Sequence, residues 1–174
     1  LQENGVIIST GASVTHIDSS RDKCHIRLSN GKEHVVDRTI ITTAPAIAAT
    51  ICPQLYTQEN QVPPPYLGII CVSLLLENPI TGSYITNIAD KDILFTGLIE
   101  MSALVDQEEF LNKTLVYLPL YLPPSDPHFK MNDTELEGIF IEQLNKMFPE
   151  EMSANHVHAI KVSRVPYVMP IPSN

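Results

Sequence analysis

The chain has 174 residues, of which 44% are hydrophobic, enough to bury a core and to form one compact domain or part of a larger one. Twenty acidic against eleven basic residues give a formal charge of −9. Phosphate neutralisation needs clustered Lys and Arg, and no basic run occurs, so a nucleic-acid-binding surface is excluded.

Chain order begins with a short apolar run, Val6 to Ser9, that predicts a strand. Ser13-Val-Thr-His-Ile17 predicts a second strand, closed by the polar turn Asp18-Ser-Ser-Arg-Asp22. Cys24, Ile26 and Leu28 alternate with His25, Arg27 and Ser29, the period of a half-buried strand. Asn30-Gly31 accepts positive φ at both centres of a type I′ turn and predicts a hairpin joining 24–29 to 32–36. Thr39 to Thr43 is a β-branched run of strand length without polar alternation, expected to lie in the sheet beside Val6 to Ser9. Pro45 suits a first helical position and Thr43 an N-cap, so 37–53 reads as strand, turn and short helix. In open α/β sheets that turn, beyond the carboxyl end of the strand, is where nucleotides sit.

Between Gln54 and Pro65 the composition shifts to Gln, Asn and Pro, and a boundary is expected there: residues 1–53 as one part, 54–65 as linker and 66–174 as a second domain. Tyr66 to Glu77 reads as a long apolar strand, fully buried or packed on both faces, since it shows little alternation. Further strands are expected in Ser83 to Ala89, Ile93 to Met101 and Leu115 to Leu122, with a helical turn at Asp106 to Phe110. Pro119 predicts an edge or a bulge. Leu136, Ile139, Phe140, Leu144 and Met147 recur at helical spacing, with Asn132, Asp133 or Thr134 as cap and Pro149 as stop. Val157 to Val168 returns as a final strand. The fold class is therefore mixed α/β: a βα unit with an inserted hairpin, followed by an antiparallel sheet with one long helix.

Few residues carry chemistry. Cys24, Cys52 and Cys71 sit in apolar stretches without CxxC spacing, which points to reduced core thiols in an intracellular, cytoplasmic protein. No secretory signal pattern opens the sequence, and no apolar run approaches the roughly 18 residues that span a bilayer. The Asn-x-Thr sequons at Asn112 and Asn132 are therefore read as chance. His156-x-His158 places two imidazoles on one strand face without a third ligand, so no metal site is assigned. Ser9, Ser73 and Ser163 lie in no GxSxG, which removes the hydrolase reading. Tyr117 and Tyr121, four apart on one strand, share a face and either line a cavity or cover a core.

Gly5-Val-Ile-Ile, Val14-Thr-His-Ile17, the Asn30-Gly31 hairpin and Thr39-Ile-Ile-Thr-Thr-Ala-Pro45 together resemble the middle of an FAD-dependent oxidoreductase of the flavin amine oxidase superfamily. That group includes protoporphyrinogen oxidases, phytoene desaturases and UDP-galactopyranose mutases. Ser83 to Asp90, Phe95 to Glu100 and Leu115 to Leu118 resemble its protoporphyrinogen-oxidase-like members. The resemblance implies that residues up to about 53 complete an FAD-binding domain and that the sheet from about 66 roofs a substrate cavity. It places Val14 against the adenine through its backbone, and Thr43, Ala44 and Pro45 near the adenosine half of FAD. The partner so implied is a small-molecule substrate.

Two departures accompany the resemblance. Gly5, Gly11 and Gly31 are isolated, so no GxGxxG turn is present to hold a pyrophosphate, and no closing Gly-Asp segment meets a flavin. With no initiator Met, and with an end at Pro170-Ile-Pro-Ser-Asn174 straight after a strand-like run, the chain is expected to be the middle of a longer polypeptide, and no catalytic residue is assigned. A fragment of this kind is expected neither to hold FAD tightly nor to catalyse a reaction. A second reading of the same strands is a non-catalytic α+β binding or interaction module.

Overall fold

The structure, a computed structural model, describes residues 2–19, 22–56 and 64–171. The expected turn at Asp18 to Asp22 and the expected linker at 54–65 therefore fall partly outside the described residues. So do the ends of the chain. Two compact units are present, one within residues 1–64 and the other Pro65–Ile171.

In the first unit, β1 (Val14–Asp18), β2 (Cys24–Leu28) and β3 (Glu33–Val36) form an antiparallel sheet in that order. The hairpin between β2 and β3 pairs Arg27 with Glu33 and Cys24 with Val36. Its connection differs from the expected type I′ turn. Gly31 takes φ +80° but Asn30 does not enter the positive region, and Gly31 N donates to Leu28 O while Leu28 N donates to Lys32 O. The loop is thus Ser29-Asn30-Gly31, a three-residue connection with glycine in the left-handed position, which also carries a hairpin. Helix α1 (Pro45–Ile51) packs Ile51 against Ile17 of β1, and Cys52, Ile26 and Ile41 complete this small core.

Two expected strands are corrected. Val6 to Ser9 and Thr39 to Thr43 form no strand, with Ile7 92% and Ile40 89% exposed. A β-branched run favours extended backbone, yet a strand exists only where a second one accepts its ladder, and none among the described residues does. The cap moves as well. Pro45 opens α1 as expected, so the half-helical position before it falls to Ala44, which has no side chain to accept a hydrogen bond, and not to Thr43.

The second unit is a five-stranded antiparallel sheet. Its strands are β4 (Tyr66–Leu76), β5 (Ile85–Asn87), β6 (Gly97–Glu100), β7 (Thr114–Leu122) and β8 (Val157–Pro170), in the order β5-β6-β7-β4-β8. From Leu67 onward β4 alternates between half-buried and buried residues, so the expectation of a strand buried on both faces is corrected. Ile70, Val72, Leu74 and Leu76 enter the core with Val116, Leu118 and Leu120 of β7. Leu136, Phe140 and Leu144 of helix α2 (Asp133–Met147) cover them. Asn132 caps α2 through a reciprocal box with Glu135, and Pro149 opens a short further helix, α3 (Pro149–Ser153). Where β8 crosses Gly68, a Cβ would stand 2.9 Å from Val165 O and 2.6 Å from the Phe129 ring, so only glycine fits.

Pro119 lies inside the sheet and not at its edge, because β7 is flanked by β6 and β4. Thr96 N donates to Pro119 O, and Thr96 O is taken by Ile88 N, so on that flank Pro119 serves as an acceptor and offers no donor. The asp-led turn is as expected: Asp106 accepts from Glu108 N at the start of a 3-10 turn, Gln107–Phe110.

Just beyond β4, Glu77 Oε2 lies 2.6 Å from Lys113 Nζ and 2.6 Å from His158 Nε2. The Lys113 hydrogen bond, then that of His158, holds the Glu77 carboxyl below the usual carboxylate range. A carboxyl lowered on folding stabilises the fold above its unfolded value and stops doing so as the pH falls through its folded value. Glu77→Gln is therefore expected to flatten the acidic limb of the stability curve. Parallel wild-type and variant curves in urea melts from neutral to acid pH would count against this linkage.

Candidate functional site

Residues 39–43 and β1 together line a cavity of about 420 Å³. That size lies within the roughly 300–1,000 Å³ of small-molecule sites. Val14 and Thr43, two residues singled out from the sequence, both line it, together with Ile17, Ile26, Ile41 and Ile47. Ala44 and Pro45 stand one step away, at the cap and first residue of α1, and do not form the wall. The wall is mainly aliphatic with three threonines, and Thr39 Oγ1 is buried without a hydrogen-bond partner. Among the described residues no backbone hydrogen bond is made by Thr39 to Thr43, which leaves their N–H and C=O groups available to a ligand's edge. Such a lining suits a flat heterocycle recognised by backbone. It offers nothing to a pyrophosphate: α1 has seven residues, and no Gly-rich turn precedes it.

A second, polar cleft of about 270 Å³ lies on the other side of β2, where His16, Asp18, His25, Arg27 and Glu33 meet and Arg27 Nε bonds Glu33 Oε1 at 3.0 Å. Among the described residues no group of three or more His, Cys, Asp or Glu side chains is placed to hold a metal ion. His156 and His158 pack edge to face at 4.7 Å, and His158 turns to Glu77.

In the second unit, Tyr117 and Tyr121 are half-buried on the sheet face opposite the core, outside the buried cluster. Strand register shows what stands beside them. Tyr117 faces Ser73 of β4 and Ile99 of β6, and Tyr121 faces Ile69. Cys71, between them on β4, has its thiol pushed up by burial, with the Ser73 hydroxyl and the Leu118 backbone acting the other way. These neighbours could not be found from the sequence, because register is needed to align three strands from separate stretches of chain.

The fold is that of known oxidoreductases. Aligned with a protein described as a protoporphyrinogen oxidase from Exiguobacterium sp. 255-15, it gives a TM-score of 0.65 at 10% identity over 93% of this chain and 36% of that one. A Methanosarcina mazei oxidoreductase gives 0.67 at 19% identity, over 95% of this chain and 40% of that one. A Pyrococcus furiosus protein gives 0.62 at 19% identity, over 93% and 39%. No curated protein sequence matches significantly. The sequence model of the flavin-containing amine oxidoreductases matches residues 2–169, and the chain belongs to that family. It spans between about a third and two fifths of the solved structures it resembles.

Proposed function

We propose that this chain forms the adenosine side of an FAD site and the roof of a substrate cavity in an FAD-dependent oxidoreductase acting on a small molecule. The observation that carries the reading is the cavity that joins Val14 to Thr43. Its aliphatic wall offers an apolar surface to a ring, while the unladdered backbone of 39–43 offers hydrogen bonds to the ring's edge. Ala44 and Pro45 hold that segment by starting α1 directly behind it. FAD supplies hydride-accepting chemistry when bound, and the residues of this chain bind and orient. Tyr117 and Tyr121 belong to the roof. The alternative, a non-catalytic binding module, keeps the same sheet but gives no role to a heterocycle-sized cavity at these two residues.

The test is titration of the isotope-labelled 174-residue chain with FAD and with AMP, followed by amide shifts. Without a phosphate cradle, and with a formal charge of −9 opposing an anion, binding is expected no tighter than about 1 mM, and the shifts are expected at residues 13–17 and 39–47. Shifts that avoid those two segments would overturn the adenosine assignment. Micromolar binding would overturn the view that these residues supply adenosine contacts alone.

A further inference from the structure

The open face of the second sheet can be laid out row by row from the register. One row crosses all five strands: Lys161 of β8 faces Ser73, Ser73 faces Tyr117, Tyr117 faces Ile99, and Ile99 faces Ile85. The next row is Ser163, Cys71 and Pro119, followed by Val165, Ile69 and Tyr121. On the other side of the first row stand Ala159, Leu75 and Leu115. Directly opposed residues of an antiparallel pair share a face with Cβ atoms about 5 Å apart, so these rows form one continuous surface. It is half-buried to exposed apart from Pro119.

The charge on this surface is the informative feature. The chain carries twenty carboxylates against eleven Lys and Arg, yet these four rows contain no carboxylate and a single cation, Lys161. Lys161 is exposed and makes no ion pair among the described residues. Arg164, the other β8 cation nearby, points to the opposite face, where it holds Asp133 and the Met131 carbonyl. The centre of the face is therefore a polar strip of ammonium, hydroxyls and thiol between aliphatic and aromatic rows.

We infer that this face binds an apolar molecule bearing one anionic group, with the anion at Lys161 and the apolar body across Tyr117, Ile69 and Leu75, and that it disfavours cationic amines. The inference rests on the roof reading above and specifies its substrate class. Within these rows a protonated amine would find no counter-charge and one like charge, since the Glu77 carboxylate beyond their end is already held by Lys113 and His158, whereas a carboxylate gains a charge-assisted hydrogen bond at Lys161. The formal charge of −9 opposes this preference at long range, so a preference for the anion has to arise locally.

The experiment compares octanoate with octylamine, matched in apolar body, by amide shifts of the 174-residue chain at moderate salt. Octanoate is expected to perturb 69–75, 115–121 and 159–165 and to bind about tenfold tighter than octylamine, the ratio one charge-assisted hydrogen bond provides. Lys161→Gln is expected to remove that ratio and Lys161→Glu to reverse it, with the core amides of α2 unshifted. Equal binding of both probes on the face, or a ratio unchanged by Lys161→Gln, would overturn the inference and leave the roof reading standing. Absence of both probes from the face would overturn the two together.

Discussion

Phe140→Ala is expected to cost about 3–5 kcal/mol, a large share of the roughly 5–15 kcal/mol by which a domain is stable. Phe140 is fully buried on α2, between Leu136 and Leu144, and its ring lies 5.5 Å from that of Phe95. Truncation removes apolar contact with the sheet and opens a cavity in a core whose β4 and β7 members cannot move without breaking their shared ladder. Denaturant unfolding monitored by far-UV circular dichroism measures the loss. A cost below about 1 kcal/mol would mean that α2 is not what closes the sheet's core face.

The second large effect is expected at Glu100, whose carboxylate is 1% exposed at the end of β6. It has no cationic partner among the ion pairs of the described residues. Instead Oε2 accepts from Ile80 N at 3.1 Å, and Oε1 accepts from Thr81 N at 2.6 Å, Gly82 N at 3.1 Å and the Thr81 hydroxyl. The side chain thus organises the loop between β4 and β5, where Gly82 takes φ +66°. Glu100→Ala strands three backbone donors, at least one of them in a buried place, and is expected to cost about 3–4 kcal/mol. Glu100→Gln can keep its oxygen at the Thr81 and Gly82 donors while its amide opposes only Ile80 N–H, so about half that loss is expected. Equal losses for Ala and Gln would show that the loop requires both acceptor oxygens together, and that one retained oxygen in a side chain of the same shape contributes nothing.

Legibility differed sharply between the two kinds of signal. Helix α2 was readable to within about two residues because its apolar positions, a cap among Asn132, Asp133 and Thr134, and the following Pro149 agree with one another, and each acts within a few residues of itself. The β2–β3 hairpin was equally readable, although the exact turn was not, since Asn-Gly sequences serve both two-residue and three-residue loops. Val6 to Ser9 and Thr39 to Thr43 show the opposite. Their composition is strand-like, but pairing is a property of two segments, and among the described residues they have no partner. The edge reading of Pro119 failed for a related reason: which strands flank β7 is decided by the order of the sheet and not by the residue.

Composition, periodicity and local turn chemistry by themselves determined the mixed α/β class and the long helix, and beside them the quoted stretches carried a family resemblance that the family match bears out. These depend on interactions that decay within a turn or two of chain. Which side of β4 is core, which residues stand beside Tyr117, and that Val14 and Thr43 share one cavity were decided only by tertiary structure. A strand apolar on both faces reads the same in either orientation, and only the register with β7 and β8, together with the packing of α2 on one face, breaks that symmetry.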